Sequence, residues 1–314
     1  EDGEPIKLYA GFNEQDEARF IVEQIQTWTD EGNLRKSSAI LYRSNAQSRV
    51  IEEALIRVGL PYRIYGGQRF YERLEIRNAL AYMRLIIARG DDPALERIIN
   101  TPSRGIGGKT VDDLRAIARD NNLSMWQAIA FSLQNGLLGS RARSSLAGFA
   151  ALINELDGET VELPLEEMVE HVIHRTSLIE FYKAEKGERG QARVENLEEL
   201  VSAAKTFRAE DDSLSPLQQF VDSAALDAGD SQADPFEDSV QMMTLHSAKG
   251  LEFPLVILAG LEENLFPHRM SLEEPGRLEE ERRLAYVGIT RAQQRLLITY
   301  AESRRLHGSE TYNT

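Results

Sequence analysis

The sequence predicts an α/β fold in which a parallel-sheet domain, built from both ends of the chain, is interrupted by a mostly α-helical insertion. Three observations carry this. Strands alternate with helices from residue 6 to about 65, the pattern is almost wholly helical from about 74 to 226, and strands return at 240. Alternating strands and helices are the rhythm of a parallel sheet with crossover helices.

The first strand is IKLYAGF, and the helix after it carries Ala18, Ile21, Ile25 and Trp28 on one face. SAILYR is the second strand, followed by a helix through Ile51, Ala54, Leu55 and Val58 and by the strand PYRIYG. The apolar runs are short and bounded by turn residues, as buried strands are. Across the helical stretch, breaks are expected at Pro93, Pro102, Gly136, Gly158, Pro164, Gly187 and Pro216, where proline or glycine interrupts helical periodicity. The acidic, polar segment LDAGDSQADPFED (226–238) is expected to be the returning linker. After it come the strands VQMMTL and FPLVILAGL, the helical stretch LEEERRLAYVGITRA and the strand RLLITYA. The expected domains are therefore residues 1–63 with 237–314, and an inserted helical domain over 64–236, each within the usual domain range.

Composition narrows the function classes. The 314 residues, 42% hydrophobic and 28% charged, describe an ordinary globular chain long enough for about two domains. Cysteine is absent, which excludes disulfides, thiolate metal sites and cysteine nucleophiles, and the five histidines show no metal-ligand spacing, so no metal site is expected. No run of 18 apolar residues and no basic-then-apolar leader occurs, so the default expectation is a cytoplasmic protein. The formal net charge of −15 argues against bulk attraction to nucleic acid. Residues 92–120, however, balance five acids with Arg97, Arg104, Lys109, Arg115 and Arg119, as a confined phosphate-contacting surface could.

Several stretches imitate nucleotide chemistry. TPSRGIGGKT (101–110) ends like a phosphate loop, but the leading position of G-x-x-x-x-G-K-[ST] is Ser103, and the loop follows a helical stretch with Leu95, Ile98 and Ile99 at helical spacing. Spacing and context both fail. Asp16-Glu17 resembles a magnesium-holding acid pair, yet Asn13, Glu14 and Gln15 precede it where an apolar strand is required, and the acidic first turn of a helix explains it better. Glu262-Glu263 does follow the apolar LVILAG, but without a phosphate loop it has little to act on.

TLHSAKGLEFPLVIL (244–258) and EEERRLAYVGITRAQQ (279–294) resemble motifs V and VI of superfamily 1 DNA helicases, and ILYRSNAQSR (40–49) resembles an accessory motif of the same group. With YRIYGGQRFYER (62–73), TPSRGIGGKT and GQARVENLEELV (190–201), they occur in the order of the UvrD/PcrA/Rep type, and the resemblance covers essentially the whole chain. It implies a second RecA-like motor domain carrying a swivelling helical insertion. ATP and Mg²⁺ are the implied cofactors of the complete enzyme, a 3′→5′ helicase of DNA repair or replication, and none is expected bound to this chain alone. The implied partners are single-stranded DNA and single-strand/duplex junctions, the first RecA-like domain of the same protein, and mismatch- or excision-repair proteins.

The resemblance also assigns roles to residues. Arg291, in GITRA, takes the place of an arginine that reaches the γ-phosphate from across the cleft and neutralises transition-state charge; a surface salt bridge with the acids of 279–281 is the alternative. Glu252, beside Gly250, corresponds to a ribose-contacting glutamate, or is a solvated loop acid. Thr244 and His246 match positions near single-stranded DNA, with a structural histidine as the other reading of His246 and a less definite role for Lys249. Arg43 and Asn45 follow a parallel strand at its carboxyl end, where ligand contacts gather; they suit single-strand backbone binding, or Arg43 a buried ion pair. TPSRGIGGKT corresponds to a helix-hairpin-helix-like element that meets duplex phosphates. There Thr101 opens the segment, Gly105 and Gly107 permit close backbone approach, Ile106 anchors the turn, and Thr110 caps the next helix or bonds a phosphate. An ordinary glycine turn between packed helices is the alternative.

The departures point the same way. No phosphate loop, no strand ending in a magnesium-holding acid pair, and no adenine-stacking aromatic-arginine segment occurs, so one wall of an ATP site is expected and the first RecA-like domain is lacking. Two other readings remain at this stage: the motor part of a helicase-nuclease subunit, and a stand-alone DNA-binding or partner-binding module.

Overall fold

The computed structural model describes residues 3–229, 233, 236–273, 276–306 and 309–313. These form two compact units, one of Glu1–Phe70 with Asp230–Thr314 and one of Tyr71–Gly229.

The first unit is a six-stranded sheet, entirely parallel, of order β1-β6-β5-β2-β4-β3. Its strands are β1 (Lys7–Gly11), β2 (Ser38–Tyr42), β3 (Tyr62–Ile64), β4 (Val240–Thr244), β5 (Phe253–Leu258) and β6 (Ala292–Ala301). Helices α1 (Glu14–Asp30) and α2 (Ser48–Arg57) connect the first three strands. On β2, Ile40 and Tyr42 belong to one core cluster with Ile21, Ile25, Trp28 and Leu55, while Ala39 and Leu41 belong to another with Val256, Leu258 and Leu284. A central parallel strand is buried on both faces, which is why SAILY is a continuous rather than an alternating apolar run. Asn13 caps α1 by accepting from the Asp16 N–H at 2.9 Å, and Glu14, Asp16 and Glu17 fill its first turn. The acids are placed as the helix dipole favours.

The second unit is helical. Its elements are α3 (Leu74–Ile87), α4 (Asp92–Ile98), α5 (Gly108–Asn121), α6 (Met125–Asn135), α7 (Ser140–Thr160), α8 (Leu165–Arg175), α9 (Leu178–Lys183), α10 (Glu188–Thr206) and α11 (Pro216–Gly229). Helix α3 buries Ile76, Ala79, Tyr82, Met83 and Leu85 and is packed by α4, α7, α8, α10 and α11, so it is buried nearly all round, with Glu75 and Asn78 among its buried residues. Pro93 lies in the first turn of α4, Gly136 closes α6 at φ 64°, Gly187 precedes α10 and Pro216 opens α11. Two expectations fail. Gly158 lies inside α7 and breaks nothing, because one glycine costs only about 1 kcal/mol in a helix held by buried Phe149, Ile153 and Leu156. Leu226–Gly229 belong to α11 rather than to the linker; residues 230–232, 234 and 235 of that segment lie outside the described residues.

The first unit ends with α12 (Arg269–Glu273), α13 (Arg277–Ile289) and a hairpin of β7 (Ser303–Leu306) and β8 (Ser309–Tyr312). The returning chain is tied down by Asp238, whose carboxylate accepts from the N–H groups of Arg35 and Lys36 at 3.1 and 2.9 Å. Deeper inside, Arg304 on β7 donates to Glu262 through Nε at 2.6 Å and Nη2 at 3.0 Å, and Nη2 also bonds Glu17 of α1. The N–H of Gly260 and the Thr299 hydroxyl donate to Glu17, at 2.8 and 2.6 Å, and the N–H of Ala301 to Glu262 at 2.8 Å. One acid of each pair that resembles a magnesium site, Glu17 and Glu262, is thus a partner of the same buried arginine.

Removing that arginine strands two buried carboxylates. Arg304→Met should lower the unfolding free energy by roughly 3–5 kcal/mol, the cost typical of breaking a buried ion pair. Urea denaturation reads this directly, and a loss below about 1 kcal/mol would show that the acids find other partners.

Candidate functional site

Strands β2 and β4 are neighbours in register, Tyr42 opposite Thr244. Arg43, Asn45, Thr244 and His246 therefore emerge together at the carboxyl edge of the sheet. Ser44 and Gln47 form a capping box on the turn that follows β2, with Gln47 Oε1 accepting from the N–H groups of Arg43 and Ser44 at 3.0 and 2.8 Å. Arg43 forks onto Glu281 of α13, through Nε to both carboxylate oxygens at 3.0 Å and through Nη2 to Oε1 at 2.8 Å. The buried ion pair weighed as the alternative for Arg43 is present, and Nη1 alone keeps no partner among the described residues. Burial pushes the Glu281 carboxyl up, but hydrogen bonds from Arg43, the His268 N–H and Ser271 outweigh it and hold its pKa below the usual carboxylate range. A depressed pKa means that the pair stabilises the fold above the ordinary carboxylate pKa and loses that contribution as pH falls below it. Thr244 Oγ1 lies 3.1 Å from the Ser247 hydroxyl. His246 and Lys249 are exposed, and among the described residues the His246 ring has no hydrogen-bond partner, unlike a structural histidine.

The second group gathers at the opposite, amino edge, where β5 and β6 begin side by side. The Phe253 N–H donates to the Arg291 carbonyl at 2.9 Å. The Arg291 guanidinium donates through Nε to the Val287 carbonyl at 3.0 Å, through Nη1 to the Leu251 carbonyl at 2.9 Å and through Nη2 to the Thr290 hydroxyl at 3.1 Å. Val287 and Thr290 lie at the carboxyl end of α13, where a cation is favoured, Leu251 lies on the connection before β5, and none of the three is an acid. The surface salt bridge considered for it does not form: Glu281 is held by Arg43, Glu279 by Arg282 and Glu280 by Arg283. Glu252 is exposed and accepts from Gln293 Nε2 at 3.2 Å. Gly250 turns at φ 85°, a conformation that favours glycine, with open space around it.

Residues 245–252 run from one edge to the other. Leu245 and Ala248 are buried in the core beneath α13, and a Cβ at Gly288 would sit 2.6 Å from Leu245 and 2.8 Å from Leu258. Helix and connection are in such close contact that neither can shift without the other. Gln47 and Glu281 were missed as positioning residues. The S-x-x-Q spacing of SNAQ was a readable signal for Gln47, whereas nothing local marked Glu281.

In the helical unit, Thr101, Gly105, Ile106 and Gly107 lie on the α4–α5 loop and Thr110 in the first turn of α5. Asn100 Oδ1 accepts from the N–H groups of Arg104 and Ile106 at 2.8 and 3.2 Å, and Ile106 is buried. Gly105 turns at φ 74°, and Gly107 is the N-cap of α5 with nothing near its α-carbon substituent position. The N–H groups of Gly108, Lys109 and Thr110 therefore open the helix without intrahelical partners. Thr110 does not cap α5, since it sits inside the first turn. The balanced charge of 92–120 is largely spent internally: Arg115 pairs with Glu96 and Asp112, Arg119 with Asp120, and Arg104 bonds the carbonyls of Ile98, Pro102 and Thr176. Among the described residues no group of three potential ligands could hold a metal ion, and no helix is long and apolar enough to cross a membrane.

Comparison with known proteins identifies the family of the chain. The chain is 58% identical over 314 residues to DNA helicase II of Escherichia coli, 55% identical over 312 residues to DNA helicase II of Haemophilus influenzae, and 42% identical over 322 residues to the ATP-dependent DNA helicase PcrA of Bacillus subtilis. These alignments cover 99%, 99% and 100% of this chain but 44%, 43% and 43% of the relatives, so the chain spans less than half the length of the proteins it resembles. The UvrD-like helicase C-terminal domain matches residues 1–303, and the chain belongs to that family.

Proposed function

We propose that this chain is the C-terminal motor half of an ATP-dependent 3′→5′ DNA helicase of repair or replication, with one wall of the ATP site and its own contacts to single-stranded and duplex DNA. The observation that carries the reading is Arg291, a guanidinium fixed by three neutral acceptors with no acid among the described residues paired to it. A charge held in this way is preorganised for an anion, as charge-stabilising groups in phosphoryl transfer are. ATP and Mg²⁺, held largely by the first RecA-like domain, would supply the phosphoryl group whose transfer to water drives movement.

Arg291 supplies positive charge toward the terminal phosphate, Glu252 accepts a ribose hydroxyl proton, and the turn at Gly250 lets backbone approach the nucleotide. At the other edge Arg43 Nη1, Asn45, Thr244 and His246 contact single-strand phosphates and sugars. The connection 245–252 joins these edges, so a change at the nucleotide is transmitted to the strand through a packed segment. On the helical unit, the glycine turn at 105–107 and the first turn of α5 offer backbone N–H groups to duplex phosphates. Mismatch- or excision-repair proteins are the proposed partners of the complete enzyme, alongside its first RecA-like domain.

Purified as these 314 residues, the chain should show no ATP turnover with or without DNA, because it contains no phosphate loop; DNA-stimulated hydrolysis would overturn the one-wall reading. In the full-length enzyme, Arg291→Ala should lower kcat by about 10³-fold or more with a much smaller change in ATP affinity, as expected of a group acting in the transition state. Steady-state kinetics with nucleotide titration checks this, and lost affinity with intact turnover would remove Arg291 from that role. Gly105→Val with Gly107→Val should weaken binding to a tailed duplex, in a salt-dependent and sequence-independent way, while single-strand binding holds. Salt titrations on both substrates, with helical content monitored, decide it; unchanged duplex affinity would discard the glycine turn as a contact.

A further inference from the structure

The helical unit contains a cavity of ≈ 510 Å³ whose walls come from α3, α4, α9 and α10 and include Asn78, Arg97, Phe181, Tyr182 and Arg193. Its electrostatics are out of balance. Arg97 is half-buried, and its one side-chain hydrogen bond is a long one, Nη1 to Asn78 Oδ1 at 3.4 Å. Among the described residues no carboxylate lies in ion-pair reach of it, and none pairs with Arg77, whose charge adds to the repulsion. Burial and then Arg77 both disfavour the protonated form of Arg97, yet an arginine does not give up its proton. A charge held under such conditions is relieved by an anion.

The polar groups around it agree. Tyr182 is fully buried, and its hydroxyl accepts from Asn78 Nδ2 at 2.7 Å. Among the described residues that hydroxyl has no acceptor for its own proton, and burial holds its pKa up so that the proton stays. The acid on the wall, Glu185, pairs with Arg193 at 2.9 Å; Arg193 also lies 3.8 Å from the buried Glu75 and stacks over the Tyr182 ring at 5.1 Å. Leu74, Pro93, Thr101 and Phe181 complete the lining. Phe181 meets Tyr182 edge-on at 5.0 Å and remains 37% exposed, and Leu74 is 46% exposed. A bare phosphate would fill a small part of a space this size, which lies in the range of small organic ligands, and an exposed aromatic face is what a flat ring would cover.

We infer that this cavity binds a nucleoside monophosphate unit, with the phosphate on Arg97 and the Tyr182 hydroxyl, Arg77 adding charge nearby, and the base against Phe181. The site is distinct from the nucleotide edge of the sheet unit, and Thr101 belongs both to its lining and to the loop proposed above as a duplex contact. The unit could be a free mononucleotide or one nucleotide of a DNA strand, and both present the same phosphate and ring.

Isothermal titration of the 314-residue chain at low salt with dAMP, deoxyadenosine, inorganic phosphate and N-acetylglutamate tests this. The expected result is saturable dAMP binding, with the other three at least about tenfold weaker, as loss of a charge-assisted bond or of the ring contact implies. Arg97→Gln should weaken dAMP about tenfold or more at unchanged helical content. Should that variant lose structure, Arg77→Gln, at an exposed residue with no ion pair among the described residues, should still weaken dAMP several-fold. Competition of an oligodeoxynucleotide for bound dAMP identifies a strand nucleotide as the occupant, and lack of competition a free mononucleotide. The inference is overturned by absent saturation with dAMP, by affinity unchanged in both arginine variants, by acetylglutamate or phosphate binding as well as dAMP, or by binding lost in Arg291→Ala instead.

Discussion

Arg304 is the residue on which the sheet unit closes. Three strands come from the first 64 residues and three from residues after 239, and the helical unit intervenes in sequence. Arg304 joins α1, through Glu17, to the segment after β5, through Glu262, so one guanidinium connects parts of the chain separated by more than two hundred residues. Two carboxylates against one arginine leave an excess negative charge in the interior. The excess is tolerated because the N–H groups of Gly260 and Ala301 and the Thr299 hydroxyl complete the oxygens' hydrogen bonds, which is the condition under which a buried ion pair is not a net liability. Those donors belong to the ends of β5 and β6, so the network also fixes the sheet edge.

The two arginines beside α13 show how the same side chain is put to opposite uses. Arg43 is paired with a carboxylate and has one nitrogen left over, so its net charge is cancelled while its geometry is exact to within a bidentate fork. Arg291 is paired with carbonyls and a hydroxyl, which satisfy its hydrogens without cancelling its charge. The first arrangement suits a post that orients a strand end. The second suits a positive centre held ready for an incoming anion, and the difference lies entirely in whether the acceptor is ionised.

The main elements were legible because their signals are local. Ala18, Ile21, Ile25 and Trp28 recur at helical spacing and are all buried on α1, and the apolar runs of β2 and β5 are what burial on two faces requires. The β7–β8 hairpin was missed because SRRL and SETY carry no apolar alternation; β7 owes its place to Arg304, whose partners are at 17 and 262. Glu281 escaped for the same reason, since its arginine is at 43. The extent of α11 was misjudged because Leu226–Gly229 read as polar linker, and Leu226 is indeed 74% exposed, so packing gives no inward signal there. The grouping of candidate residues was partly legible: strand ends are predictable from the strands, but that Gly250, Glu252 and Arg291 meet at the edge opposite Arg43 and Thr244 follows only from the order in which β5 and β6 pair.

GIGGKT shows why composition without context misleads. Glycines followed by Lys-Thr at the start of a helix are what a phosphate loop and this loop share, and in both the useful groups are backbone N–H donors with no intrahelical acceptor. A phosphate loop wraps one small anion because a strand and an early glycine curl the backbone around it. Here the chain enters from α4, Asn100 ties down Arg104 and Ile106, and the buried Ile106 side chain holds the turn against the helical core. What results is a helix start in which the N–H groups of Gly108, Lys109 and Thr110 have no intrahelical acceptor, next to the exposed Gly105 and Gly107. Such a turn can meet a phosphate that an extended ligand brings to the surface, which is the physical ground for proposing a polyanionic backbone rather than a bound nucleotide as its ligand.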